Sequence, residues 1–342
     1  MGPTGDSYRV LQIHPSRRCN LRCLHCYSSS GPEERGEISV ALLRDALTEA
    51  SEEGYTVAGV SGGEPLLYKP LHELLQHAHE CNMLTTVTSN GMLLDERRLE
   101  TLQGITDLLA ISLDGVPASH NRNRASERAF DTMASRLEGV RRSGIPFGFI
   151  FTLTLHNLHE LDWVANFALK QGAQLLQIHP LEEVGRAKQF LSRARPDEIE
   201  SAYAYLELLR IQALAGDTLR VQLDLIDRNL LRSSPSRVFA DKPSVDETSL
   251  SLSDLVSPLV IEADGTLVPI QYGFAREYAL GNLQEASLCE LATRWRRERH
   301  QVFRKLCLSV FEEITGPDGL PFVNWYEAIA NKSSESATIP LT

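Results

Sequence analysis

The sequence predicts an α/β protein in which a parallel sheet, its strands joined by helices, is followed by a smaller α+β part. Three observations predict it. Short apolar runs alternate with segments of helical period from residue 10 to residue 179, which calls for parallel strands with right-handed crossovers. Residues able to carry chemistry stand directly after those runs, where (β/α) folds collect their ligands. The C-terminal third then changes composition and carries a hairpin signal at Asp264-Gly265.

At 342 residues the chain has room for one barrel, an appendage and a sizeable core. Apolar residues make up 42% and charged residues 23%, the balance of an ordinary globular protein. There is no run of about twenty apolar residues, so no membrane partner is expected. A net charge of −11 argues against a surface that grips nucleic-acid phosphates. The six cysteines are Cys19, Cys23 and Cys26 in one motif, then Cys81, Cys289 and Cys307. With no secretory segment before the motif, this distribution fits metal binding in a reducing cytoplasm better than a disulfide framework.

The first strand is expected at 10–14, and the cysteine loop follows it. A helix over 37–53, ended by Gly54, leads to a strand at 57–61. The plan then repeats: helix 70–81 and strand 84–88, helix 95–102 and strand 108–112, helix 128–143 and strand 147–155, helix 158–171 and strand 175–179. Beyond these, Asp197 opens a long helix, expected to be amphipathic, and a polar stretch without period follows. Apolar runs on either side of Asp264-Gly265 read as a hairpin, and a basic helix passes through Trp295.

The strongest site signal is Cys19-x3-Cys23-x2-Cys26-Tyr27. Three thiolates this close suit three irons of a [4Fe–4S] cube and leave the fourth iron open to a substrate or cosubstrate. A structural zinc would want a fourth ligand, and His25, between two of the cysteines, is poorly placed to be one. A disulfide would need an oxidising compartment, whereas plain buried cysteine needs nothing further. After the second strand comes Ser61-Gly62-Gly63-Glu64-Pro65, either a tight turn or a place where backbone approaches a ligand beside a carboxylate. Asn90, after the third strand, is a turn residue or an amide donor. Ser112-Leu113-Asp114-Gly115 ends the fourth strand, and Arg122 and Arg124 follow, either as a solvated surface or as part of the site. His179 is a core residue or a ligand.

Together these residues resemble the radical SAM enzymes, in their SPASM or twitch-type maturase branch. The resemblance implies a partial (β/α)6 TIM barrel over residues 9–226, with Cys19, Cys23 and Cys26 on a [4Fe–4S] cluster. It implies S-adenosyl-L-methionine as cosubstrate, contacted by His25, Gly62, Gly63, Glu64, Asn90, Ser112 and Arg124. In those roles Glu64 serves the ammonium, Ser112 the ribose, Arg124 the methionine carboxylate and the His25 backbone the adenine. Asn121 stands where the family usually has an aspartate, and Gly185-Arg186-Ala187 resembles a further family segment.

The resemblance also covers residues 257–330, taken as a degenerate SPASM/twitch-like extension after a linker at 227–256. Residues 1–8 and 331–342 are expected to be disordered. Ile270 stands near the place of a cluster cysteine, Cys307 is a candidate remnant ligand and Cys289 a buried apolar residue, so no auxiliary cluster is expected. The extension is instead expected beside the open end of the barrel, covering the substrate. The implied activity is reductive cleavage of S-adenosylmethionine to a radical that takes hydrogen from a peptide, leading to cross-linking, epimerisation or oxidation. A small metabolite such as a sugar, nucleotide or cofactor precursor is the alternative substrate, and a non-catalytic iron–sulfur protein the alternative of another class. A reducing partner such as flavodoxin or ferredoxin is implied. Because the first strand begins at Val10, a leader-peptide-binding protein is expected to be a separate chain.

Overall fold

The computed structural model describes residues 8–240 and 250–336. The disorder expected for 1–7 and 337–342, and the linker segment 241–249, lie outside the described residues. In chain order the elements are β1 (Val10–Ile13), α1 (Val40–Glu52), β2 (Val57–Val60), α2 (Leu71–Glu80), β3 (Leu84–Ser89), α3 (Glu96–Leu102), β4 (Leu108–Ser112), α4 (Pro117–Asn123) and α5 (Ala129–Ser143). Next are β5 (Phe147–Leu153), α6 (Leu161–Gln171), β6 (Leu175–Pro180), α7 (Ala187–Phe190), α8 (Glu198–Ala215), β7 (Arg220–Leu223), β8 (Ile226–Asp227) and α9 (Arg228–Ser233). The chain finishes with α10 (Leu252–Leu255), β9 (Leu259–Ile261), β10 (Thr266–Pro269), β11 (Gly281–Asn282), α11 (Leu288–Glu298), α12 (His300–Thr315), β12 (Phe322–Val323) and α13 (Trp325–Ser336).

Strands β1 to β7 lie side by side in sequence order and all pair in parallel. Each is short enough to need a covering helix, and alternation decides which side chains meet it. In β3 one row, Thr85, Val87 and Ser89, is buried, while Thr86 and Thr88 are half-exposed; in β6 Leu176 and Ile178 are buried, while Gln177 and His179 are half-exposed. The concave face is therefore polar, with Gln12, Gly59 and Thr86 in one patch. Phe149, Phe151, Leu74 and Leu75 fill the core between sheet and helices.

Four expectations change here. The sheet has a seventh parallel strand, β7, delivered by α8. Helix α8 has no single apolar stripe: Ala204 and Ile211 are buried, but Ile199, Leu206 and Leu214 are exposed on its outer side. The expected linker contains α9 and α10, which start from the Asp227 carboxylate cap and from a Leu252 amide bonded to Glu53. The expected tail begins with α13, which continues through residue 336 and packs on α12.

The extension does not stand apart. Its hairpin β9–β10 forms about Asp264-Gly265, and β9 then pairs in parallel with β1, so the sheet runs β11-β10-β9-β1-β2-β3-β4-β5-β6-β7. Its helices α11 and α12 bury Leu288, Leu291, Trp295 and Phe303 in the same core.

Candidate active site

The cysteine loop leaves β1 and returns on itself. Cys19 N donates to Gly31 O at 3.1 Å and Gly31 N to Arg17 O at 3.1 Å, which closes its base. Three later segments hold it from outside. The turn after β2 packs beneath it: Gly63 N donates to Ser16 O and Glu64 N to Arg18 O, each at 2.9 Å. A Cβ on Gly63 would stand 2.1 Å from Arg18 O. What the glycine admits is therefore the cluster loop's own backbone. At the end of α4, Asn123 O accepts from Leu24 N at 2.8 Å. After β6, Gly185 sits so close that a Cβ would be 2.3 Å from Tyr27 O. Arg186 then donates from its backbone N to Cys26 O at 3.0 Å, from Nε to Cys23 O at 2.8 Å and from Nη2 to Ser30 O at 2.6 Å.

Cys19 and Cys23 are buried and Cys26 half-buried, and they share a small cluster with Leu21 and Met92 that is separate from the main core. Burial pushes the Cys19 thiol up to about 12 and raises that of Cys23 as well, though Arg124 opposes the latter. Thiols so placed ionise only against a compensating positive charge, which is what iron supplies. Among the described residues no three His, Cys, Asp or Glu side chains are arranged to hold one metal ion. Thiolates on separate corners of a cube do not have to converge in that way, so the donor set fits a cluster better than a mononuclear zinc.

Glu64 is buried at the foot of this loop. Its Oε1 accepts from Ser89 Oγ at 2.9 Å and Leu66 N at 3.2 Å, and its Oε2 from Asn90 N at 2.9 Å. A carboxylate has about four acceptor positions, so one remains for a further donor. Asn90 reaches the cysteine loop, donating to Asn20 Oδ1 at 2.8 Å and towards Cys19 Sγ at 3.9 Å. Ser112 is buried at the end of β4, two residues before Asp114. Arg124, at the C-terminal cap of α4, is buried with its Nε 2.6 Å from Asp114 Oδ2 and donates from Nη1 to Cys23 Sγ at 3.7 Å. Burial lowers His25 to about 4, which keeps its ring neutral, with Nε2 3.8 Å from Asp114 Oδ2. Asn121 takes up structural work: its Nδ2 donates to Glu127 O and its Oδ1 accepts from Phe130 N, so it organises the start of α5.

The loop after β10 reaches over the same centre. Ile270, buried with φ +71°, turns the chain so that Tyr272 stacks on His14, ring centroids 4.9 Å apart, and meets Tyr27 edge-on at 5.6 Å. Next to it, Gln271 Nε2 donates to Glu182 Oε2 at 3.3 Å. Glu182 belongs to a cavity of about 240 Å³ that Glu183, Arg195, Gln271, Glu327 and Asn331 also line. His179, at the end of β6, pairs through Nδ1 with Asp224 after β7. Cys307 is buried in the main core and Cys289 lies on α11 beside Glu49, so neither joins a ligand group among the described residues. The sequence singled out the cysteines and strand ends but gave no role to Arg186 or Tyr272. Arg186 stood in a quoted motif, while Tyr272 carries no local signal.

A parallel α/β sheet with a buried three-cysteine loop after its first strand defines the radical SAM class of fold. Residues 13–168, a little under half of the chain, match the Radical SAM superfamily, which uses a [4Fe–4S] cluster and S-adenosylmethionine. The chain is 25% identical to Fe-coproporphyrin III synthase of Methanosarcina barkeri over 84% of its own length and 74% of that protein's. It is 29% identical to mycofactocin maturase MftC of Mycobacterium tuberculosis over 58% of its own length and about half, 52%, of that protein's. Among solved structures, anSMEcpe with bound AdoMet and Cp18Cys peptide has the same fold, with a TM-score of 0.65, 19% identity and 96% of each chain covered. The superfamily that this segment matches is one of enzymes. Among the described residues no helix is long and apolar enough to cross a membrane.

Proposed function

We propose that this protein is a radical SAM enzyme that modifies a peptide, by cross-linking, epimerising or oxidising its residues. When bound, the reduced cluster and S-adenosylmethionine supply a 5′-deoxyadenosyl radical that abstracts hydrogen from the substrate. The chain's own part is to hold, orient and exclude water. Cys19, Cys23 and Cys26 hold the irons. The free acceptor position of Glu64 takes the cosubstrate ammonium, with Asn90 and the Gly62-Gly63 backbone beside it. Arg124 has N–H groups left for the carboxylate, Ser112 a hydroxyl for the ribose, and the His25 backbone faces the adenine. Tyr272 covers the loop from the extension's side. An electron donor such as flavodoxin or ferredoxin completes the system, with a separate leader-peptide-binding protein as a further partner.

The charge of the cavity beside the cysteine loop carries the peptide reading. Glu182, Glu183 and Glu327 line it, and the one cation in its lining among the described residues, Arg195, is 2.9 Å from Glu327. Such a lining suits the ammonium or guanidinium groups of a peptide. The outer edge of β7 has no strand partner among the described residues, with Val221 N donating there to Gln212 Oε1 at 2.8 Å, and an extended peptide that displaces Gln212 can add to such an edge. The maturase relative and the peptide-bound neighbour are consistent with this. A tetrapyrrole is the second reading, favoured by Fe-coproporphyrin III synthase, but its carboxylates would meet like charges here.

The test is anaerobic. With dithionite, the reconstituted protein is expected to release 5′-deoxyadenosine from S-adenosylmethionine, and Lys- or Arg-containing peptides are expected to stimulate that release. Stimulation by Fe-coproporphyrin III and not by peptides would replace the peptide reading, and no release under any condition would remove the enzyme reading.

A further inference from the structure

The Cys23 sulfur carries a cation. Arg124 donates to it from Nη1 at 3.7 Å, while its Nε stands 2.6 Å from Asp114 Oδ2. All three residues are buried, and Asp114 has no exposure at all. The arginine is delivered rigidly, because Arg124 N donates to His120 O at 2.9 Å and Asn123 O accepts from Leu24 N of the cysteine loop at 2.8 Å. Cys19, by contrast, meets neutral donors, Leu21 N at 3.5 Å and Asn90 Nδ2 at 3.9 Å. Asp114 also has His25 at 3.8 Å, Thr152 N, which donates to its Oδ1 at 3.4 Å, and His120, whose Nδ1 accepts from Asp114 N at 3.2 Å.

We propose that the buried pair of Arg124 and Asp114 sets the reduction potential of the cluster on Cys19, Cys23 and Cys26, the guanidinium on Cys23 raising it and the carboxylate opposing. This rests on the reading of the triad as the cluster site. Hydrogen bonds to cluster sulfurs are one of the levers on potential. Reduction adds one electron, and the added negative charge is shared by the thiolate sulfurs. A cationic N–H donor on Cys23 therefore stabilises the reduced state more than the oxidised one and raises the potential. The water-poor surroundings strengthen that effect, and the Asp114 carboxylate opposes it.

The two partners thus pull in opposite directions, which makes the inference testable without a substrate. The midpoint potential of the cosubstrate-free cluster is read by electron paramagnetic resonance during a redox titration. Arg124→Gln is expected to move it downward. Asp114→Asn, which leaves Arg124 in place but removes the opposing charge, is expected to move it upward. If Arg124→Gln fails to assemble a cluster, Asp114→Asn decides alone, an upward shift supporting the inference and an unchanged potential overturning it. An unchanged potential in Arg124→Gln with weakened S-adenosylmethionine binding would make Arg124 a cosubstrate contact only and overturn the inference while leaving the proposed function standing. A wild-type chain that takes up no [4Fe–4S] cluster would overturn both together.

Discussion

Single residues here are set by what surrounds them. Cys19 and Cys23 are thiols that burial holds protonated until a positive centre arrives. Changing Cys19, Cys23 and Cys26 together to Ala is expected to take reconstituted protein from about four irons per chain to none. An iron assay settles it, and retained iron would make Cys289 or Cys307 a ligand after all. Glu327, buried beside Glu182 and Glu183, is pushed up to about 7 by burial, with Arg195 opposing. Because the folded state holds this proton more tightly than the unfolded chain does, stability falls as pH rises from the ordinary carboxylate range through about 7. Glu327→Gln is expected to remove that part of the dependence, so its Tm relative to wild type should be higher at pH 8 than at pH 5. An equal difference at both values would show that Glu327 does not titrate there.

The second strand end and the segment after β6 act as elements. They grip the cysteine loop from two sides and leave no volume for a Cβ at Gly63 or Gly185. Gly63→Ala and Gly185→Ala should each cost about 1–3 kcal/mol, the usual penalty of overpacking. Their mark should be faster loss of iron to a chelator, since the strain falls on the loop that carries the thiols. Iron loss at the wild-type rate in both would show that the loop adapts. Arg186 adds three hydrogen bonds to the same loop and makes this grip directional.

For the whole molecule, the extension is part of the sheet. Strand β9 pairs with β1, the strand that launches the cysteine loop, and α11 and α12 share its core. Removing residues 259–308 would expose the edge of β1 and the side of α1 on which α11 packs. The truncated chain is expected to be insoluble or to lose cooperative unfolding, as measured by soluble yield and thermal melting. A stable, cluster-loaded truncated protein would show that the extension is a separable cover. Tyr272, stacked on His14 and facing Tyr27, is where this part meets the site.

The sequence by itself was enough for the α/β class, the order of strands and helices through β6 apart from α4, the Asp264-Gly265 hairpin and the cysteine loop. All of these depend on spacing between near neighbours: a side-chain period of two or of 3.6, a turn dipeptide, or three thiols within eight positions. Tertiary structure decided what depends on distant segments meeting. The seventh strand, the pairing of β9 with β1 and the two-sided character of α8 follow from which faces found partners. The same holds at the site. Arg124 reaches a sulfur 101 positions earlier, Arg186 a carbonyl 163 positions earlier, and Glu327 acquires its raised pKa from burial, with Glu182 and Glu183 across the cavity adding to it. Hydrogen bonds and burial over such separations exist only once the chain has folded, so no local pattern records them.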